Sequence, residues 1–570
     1  MIDLPPLKPL FNMQKSVVLF LSAATLIALT SCSSKLGELS ADNFSVVPNP
    51  LETEAGKVPT TINGKFPEKY MQKKAVVTVT PELRYGNGQT ATGAPTTFQG
   101  EKVAGNNTTI QYKMGGHYTM KSNFDYKPEM QKSDLYLTFD AYVGKKKVEI
   151  PAVKVAEGII STSELYKKTL FSDGLCLAPD TFQRVQQQKQ EAQIKFLINQ
   201  ANLRKSEMNS SSVKDFVSML KKINRDKEGL NIKNVEVSAY ASPDGGVTFN
   251  DKLASKRQDV SEKYVNKTLK ATKVSTDVAA SYTAQDWDGF QKLVAASNLQ
   301  DKEVVLRVLS MYQDPQEREQ QIRNISSGYK ELADGILPEL RRSRLIINYE
   351  TVGRSDEQIK SQYASDPTKL SADELLYAAA LETDVNKQEE IYKTAATQYP
   401  NDSRALNNIA ILEAAKGNTG VAQSYLDKAL NAGGNTAEAT ANKGLFALQQ
   451  GNTDEAQQLI AKATGANDLN KALGALNIAK GNYEQAEKNF DGVNTNTAAL
   501  AQILNKNYRG AKETLEKVSN KNGMTDYLLA IVNARQGNKS EAASCLKSAL
   551  EKDSSLKQYA ANDLELKDIK

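Results

Sequence analysis

Few side chains in this sequence are of the kinds that do covalent chemistry, and their spacing narrows the field further. The 570 residues include one histidine, His117, and three cysteines, Cys32, Cys176 and Cys545. A hydrolase brings together a nucleophile, a base and an oxyanion donor. The chain has no Gly-x-Ser-x-Gly and no glycine-rich phosphate loop. Paired carboxylates remain open to a chain with 67 acidic residues, so a hydrolase stands only as the weakest reading. His117 follows Gly115 and Gly116 near a turn. A metal site needs three or four convergent ligands, and without a Cys or acidic cluster nearby this histidine reads as a surface residue. No metal or cofactor is expected. The loop Ala241-Ser242-Pro243-Asp244-Gly245-Gly246 runs into a helix with Asn250 and Arg257 behind it.

Cys32 has a different setting. Lys15 precedes the apolar run Val17 to Leu29, and Leu29-Thr30-Ser31-Cys32 closes it. About 13 apolar residues are too few for a spanning helix, which takes about 20, but they suit the apolar stretch of a secretory signal. The segment resembles bacterial lipoprotein signals, with Met13 an alternative start. The resemblance implies that residues 1–32 form the signal region and that Cys32 carries a covalent lipid; ordinary cleavage nearby is the plainer alternative. Surface-exported lipoproteins of the Bacteroidota resemble one another in having an acidic cluster after the cysteine. Ser33, Ser34 and Lys35 stand there instead, which favours an outer-membrane protein facing the periplasm.

A net charge of +5 from 72 basic and 67 acidic residues gives no field to draw in nucleic acid. With Cys32 acylated, Cys176 and Cys545 cannot make a disulfide framework. A chain of this length divides into several domains. Residues 33–61, rich in Ser, Thr, Asn, Pro and Glu, read as a flexible tether. Residues 62–175 alternate with period two, as in Val76, Val77, Val79 and Leu135, Leu137, Phe139, which predicts a β-rich, sandwich-like domain.

Residues 176–355 read as an α/β domain. A strand carries Ile194, Phe196 and Ile198, and a helix carries Val213, Phe216, Val217, Leu220 and Ile223 at helical spacing. The strand Val235, Val237, Ala239 then leads into the candidate loop and a helix bearing Leu253, Arg257, Val260 and Tyr264. A third strand is expected near Val278 to Tyr282 and a last one at Leu345, Ile347, Tyr349, with a helical insertion near 284–337 between them. The loop and following helix resemble the OmpA-like periplasmic domain. In that family a loop Asp takes the ammonium of the peptidoglycan stem peptide and an Arg on the next helix takes its carboxylate. Gly245, Asn250, Leu253 and Arg257 match. Ser242 stands where the family has its Asp, removing a bond worth about 1.5–3 kcal/mol, and Asp244 replaces it only in a reshaped loop. The plainer reading makes Arg257 the partner of a nearby carboxylate.

From residue 369 to 570 the chain is almost wholly helix-forming. A Gly or Lys before Asn recurs at Gly417, Gly451, Gly481, Lys506 and Gly537, with Ala five residues later at Ala422, Ala456, Ala486, Ala511 and Ala542. Ala410, Gly444, Gly474, Ala499 and Ala530 hold a matching small position. Small residues let paired helices nest, and Gly ends the first helix in a left-handed turn. The period resembles tetratricopeptide (TPR) repeats, and the helix with Leu556, Tyr559, Ala560 and Leu564 is expected to cap them. First helices line the concave face of such a solenoid, here with Ile411, Leu445, Leu448, Ile478, Leu500, Ile503 and Ile531. These either form a groove for a hydrophobic segment of a partner or pack between shortened, tightly wound repeats.

The domain order resembles a group of Bacteroidota envelope lipoproteins that join a β-rich domain, an OmpA-like domain and TPR repeats. The overall expectation is a multidomain α+β, non-enzymatic scaffold. Its expected contacts are the membrane through the lipid, peptidoglycan through the α/β domain, and another envelope protein through the repeats. The rivals are an accessory of a secretion or outer-membrane assembly machine and, last, a cell-wall hydrolase.

Overall fold

The computed structural model describes residues 36–325, 328–434 and 436–569. The signal region, Met13 and Cys32 lie outside the described residues. The chain divides into two compact units, one of Met1–Leu175, Gly444–Ala461 and Asn470–Lys570, the other of Cys176–Lys443 and Lys462–Leu469. The repeat helices are shared between them.

The first unit contains two larger sheets built from alternating strands, beside the parallel two-stranded pair Leu51–Glu52 and Ile159–Ile160. Phe44–Val47, Lys57–Phe66 and Gly116–Asp125 pair antiparallel in one. The other runs in the order Lys146–Val148, Ser133–Val143, Ala75–Tyr85, Thr96–Gly100, Thr108–Ile110. Every second residue points inward, as in Ala75–Tyr85. Val58, Ile62 and Phe66 from one sheet share a core with Val77, Val79, Leu135 and Leu137 from the other, and Phe66 meets Phe98 edge-on at 5.3 Å between centroids. This is a sandwich. The expected tether is not a coil where described: Phe44–Val47, Leu51–Glu52 and Lys57–Phe66 are strands. Their backbone pairing orders them although Phe44–Val47 buries only Val46. Connector residues Thr162–Leu165 and Tyr166–Asp173 follow, both helical.

The second unit holds a four-stranded sheet in the order Val185–Lys195, Arg342–Val352, Leu230–Tyr240, Asp277–Thr283. The first three strands pair antiparallel; the last pair is parallel. Val213, Phe216, Leu220 and Ile223 of helix Ser211–Arg225, with Val265 and Leu269 of helix Val247–Thr272, bury against Ile194, Val235, Val237, Leu345 and Ile347. The first strand ends at Lys195, so Ile198, expected on it, is 56% exposed in the loop. The insertion has its own core, with Phe290, Val294, Val305, Leu309, Ile322 and Leu337. Repeat-type packing begins before residue 369, since Ile359 of helix Asp356–Ser365 is fully buried with Leu375, Leu376 and Ile391.

The repeats turn in one way five times. Gly417, Gly451, Gly481, Lys506 and Gly537 all have positive φ, from 63° to 86°. The amides of Asn418, Asn452, Asn482, Asn507 and Asn538 then donate to the carbonyls of Glu413, Ala447, Asn477, Gln502 and Asn533 at 2.8–2.9 Å. These are the six-to-one bonds that satisfy helix C-terminal carbonyls. Ala422, Ala456, Ala486, Ala511 and Ala542 are completely buried. Shortening falls on both helices of the repeat: the second helices Thr419–Ala432, Thr453–Lys462 and Tyr483–Asn489 have 14, 10 and 7 residues, and the first helices Ala437–Gln449, Leu469–Ala479 and Asn496–Leu504 have 13, 11 and 9.

Candidate functional site

The candidate loop leaves strand Leu230–Tyr240 and enters helix Val247–Thr272. Strands Val185–Lys195 and Leu230–Tyr240 end at the edge where Arg342–Val352 begins, because Lys195 faces Arg342 and Ala239 faces Ser343. This topology brings the end of the insertion to the loop. Asn250, 4% exposed, donates through Nδ2 to the carbonyls of Ser242 and Gly245, both at 2.9 Å. A Cβ on Gly245 would lie 3.1 Å from Asn250 Oδ1, so the small residue allows the loop to close on its asparagine.

The loop carboxylate belongs to Asp244. Ser242 Oγ donates to it, and Arg341 Nη2 pairs with it at 3.0 Å. Arg341 Nε also reaches Ser242 Oγ at 3.3 Å. Pro243 and Asp244 share with Trp287, Phe290, Ile322, Tyr329 and Leu337 a cavity of about 20 Å³, room for roughly one water. The insertion therefore packs against the loop, and Arg341 already supplies a cation to the Asp244 carboxylate.

Arg257 is fully buried. Its Nε donates to Gln200 O at 3.0 Å, Nη1 to Tyr240 O at 2.9 Å and Nη2 to Leu197 O at 3.3 Å, and its guanidinium lies 5.0 Å from the centre of the Phe196 ring. Burial, helped by the nearby Arg341 cation and opposed by Asp244, brings its pKa down to about 10; it stays charged at neutral pH. This setting does not suit the carboxylate-binding role that the family resemblance implies. All three nitrogens already serve backbone carbonyls, and the group ties together the ends of two strands. Nor is its partner the carboxylate of the plainer reading.

Leu445, Leu448, Ile478, Leu500, Ile503 and Ile531 are at most 1% exposed, and Ile411 is half-buried. They do not line an open groove. In the first unit, the connector covers the first helices: Tyr166 Oη donates to Leu448 O at 3.3 Å, Thr497 Oγ1 to Thr169 Oγ1 at 2.8 Å, and the Phe171 and Phe446 rings lie 4.4 Å apart. The expected apolar residues pack against the chain itself.

The second unit shows binding chemistry that the apolar pattern did not reveal. The extended segment Cys176–Ala178 is held by three buried asparagines of the repeats. Asn442 Oδ1 accepts from Cys176 N at 2.7 Å, and its Nδ2 donates to Cys176 O at 2.9 Å. Asn408 treats Ala178 alike, at 3.0 Å from its N and 2.9 Å from its O. Asn407 Nδ2 adds a bond to Cys176 O at 3.1 Å, and Asn467 Nδ2 one to Leu177 O at 3.2 Å. Farther on, Thr181 donates to Asp373 at 2.7 Å and Phe182 packs on Tyr377 at 4.8 Å. The signal lay in the repeat: Asn408 and Asn442 each stand two residues before the small residue, Ala410 or Gly444. Thr497 holds that same position before Ala499.

His117 is exposed on strand Gly116–Asp125. Among the described residues no cluster of three His, Cys, Asp or Glu is placed to hold a metal, and no helix is long and apolar enough to cross a membrane.

No protein-family model and no curated protein matches the chain. Among solved structures, the Cut9–Hcn1 hetero-tetramer of APC/C is matched at 16% identity and TM-score 0.30, over 36% of this chain and 44% of that one. A tetratricopeptide repeat protein from Parabacteroides merdae is matched at 16% identity and TM-score 0.27, over 43% of this chain and 98% of that one. PilF of Pseudomonas aeruginosa is matched at 16% identity and TM-score 0.26, over 38% and 100%. This chain thus spans less than half of the first of these chains and nearly all of the other two.

Proposed function

We propose that the protein is a non-enzymatic, lipid-anchored scaffold of the outer membrane, facing the periplasm, that holds another envelope protein through its repeats. The anchor rests on Val17 to Leu29 and Cys32 in the sequence. The single observation that carries the binding role is the buried asparagine set, which grips an extended backbone by both its N–H and C=O groups. Such bonds recognise a main chain whatever its side chains. Fractionation tests the anchor: the unaltered chain enters the detergent phase, and Cys32→Ser leaves it in the aqueous phase. Equal partitioning of the two would remove the lipid from the reading.

Peptidoglycan contact in this reading falls to Asp244, because Arg257 is enclosed. Arg341 already neutralises that carboxylate, so a stem-peptide ammonium has to displace it. Cosedimentation with purified sacculi tests this. Arg341→Ala should pellet more than the unaltered chain, and Asp244→Asn should stay in solution. If none of the three pellets, wall binding falls while the scaffold reading stands.

A further inference from the structure

We infer that Asn407, Asn408 and Asn442 form an exchangeable peptide clamp, for which Cys176–Ala178 is a built-in occupant and an extended small-x-small segment of a partner is the competing one. This deepens the scaffold reading and rests on it for the partner.

The clamp reads alternate residues. Asn442 and Asn408 occupy the same position in successive repeats, and they hold Cys176 and Ala178, two residues apart, by paired bonds to N–H and C=O. All three asparagines are at most 1% exposed. A buried carboxamide left without its partners is costly, so the site needs a peptide backbone in it at all times. The paired bonds go to the backbone N–H and C=O groups of Cys176 and Ala178, so the room around each side chain is what limits its size. Cys176 is 0% and Ala178 2% exposed, whereas Leu177 between them is 44% exposed. A competing segment therefore needs small residues at the two buried places and is free at the middle one. The Cys176 thiol donates to Asp468 O at 3.6 Å, a bond that a Ser in its place can also make.

A tethered occupant competes with an effective concentration in the millimolar range. A free short peptide should consequently exchange only at about millimolar concentration, and a partner held beside the protein reaches that level locally.

The thiol of Cys176 reports occupancy. The test uses the full chain with Cys32→Ser and Cys545→Ser, leaving one thiol, and follows its reaction with a thiol reagent. The probe is the hexapeptide Gly-Leu-Ser-Leu-Ala-Pro, the connector sequence 174–179 with Ser in place of Cys. Millimolar probe should raise the labelling rate at least threefold and saturably, and the same peptide with Phe in place of Ser should not. Asn442→Ala, with unchanged circular dichroism, should label at least tenfold faster and lose the response to probe. Labelling that ignores the probe in the unaltered clamp overturns the exchange, even if Asn442→Ala does not fold, and shows a permanent strut. An unchanged rate in a folded Asn442→Ala overturns the clamp itself. Either failure removes the clamp as the support for partner binding but leaves the anchor, which fractionation reads separately; crosslinking at exposed repeat positions then reads whether a partner is held on another face.

Discussion

The Arg341 guanidinium lies 3.0 Å from the Asp244 carboxylate, with side-chain exposures of 12% and 16%. The register of the last strand delivers the arginine to the loop, and Ser242 bridges the pair by bonding to both. Removing one partner leaves a largely buried charge behind, which costs more than the pair is worth. Arg341→Ala should destabilise this domain by about 1–3 kcal/mol, and Asp244→Asn combined with it should recover part of that loss. Trp287, the only tryptophan, sits in the insertion, so fluorescence during urea denaturation reads this domain. Additive effects would mean that the two charges do not interact.

The C-terminal cap should carry a pH dependence of its own. Asp563 is buried and accepts from Tyr527 Oη at 2.5 Å. Burial pushes its pKa up to about 6 from an ordinary 3.8; the Tyr527 hydroxyl, the Glu565 backbone amide and the Arg535 charge pull it down, and the Glu565 carboxylate pushes it up. The raised value means that folding favours the protonated acid: its stability contribution is complete below about 3.8 and is lost as pH rises through about 6. Asp563→Asn keeps an acceptor for Tyr527 and should stabilise the protein at pH 7.5 by on the order of 1–3 kcal/mol. It should also flatten the fall of melting temperature between about pH 4 and 6. A variant with the same slope as the parent would exclude Asp563 as its source.

Lys506 occupies a turn at φ 63° where the other four repeats place glycine. A side chain in the left-handed region costs roughly 1–2 kcal/mol, part of which glycine returns through its more flexible unfolded chain. Lys506→Gly should thus stabilise by on the order of 0.5–1 kcal/mol, and Gly537→Ala should destabilise by about 1 kcal/mol. Thermal denaturation of both, read by circular dichroism, gives the opposite signs required. Two shifts of the same sign would remove the turn strain from the account.

The repeats were readable because their signals recur: one buried alanine and one left-handed turn in a fixed relation leave a period that no single tertiary contact can hide. Asn408 and Asn442 recur as well, but helical asparagines ordinarily face water. Only the structure shows the backbone of Cys176 and Ala178 in front of them. Phe44–Val47 looked like tether because a strand that buries one side chain is held by backbone bonds to Lys57–Phe66, which leave no hydrophobic pattern. Arg257 was found by spacing, yet its environment was not: Leu197, Gln200 and Tyr240 reach it through chain ends brought together by the sheet. Arg341 had no local signal, since its partner lies 97 residues away.

Gly474 tests why the small position recurs. It lies in helix Leu469–Ala479, and an added Cβ would fall 2.3 Å from Cε2 of Phe490, at the end of the second helix of the same repeat. The ring is 4% exposed and has no open space to turn into. In an unpacked helix Gly→Ala would gain about 1 kcal/mol of propensity. Overpacking a filled core costs roughly 1–3 kcal/mol, so Gly474→Ala should be destabilising by about 1 kcal/mol. The companion change Phe490→Leu makes room. Gly474→Ala with Phe490→Leu should therefore be more stable than Phe490→Leu alone, reversing the sign of the alanine effect. Calorimetry on the four proteins of this cycle measures the coupling directly. If alanine destabilises to the same extent in the Phe490→Leu background as beside the native ring, the small residue serves the backbone of its own helix and not the approach of its neighbour.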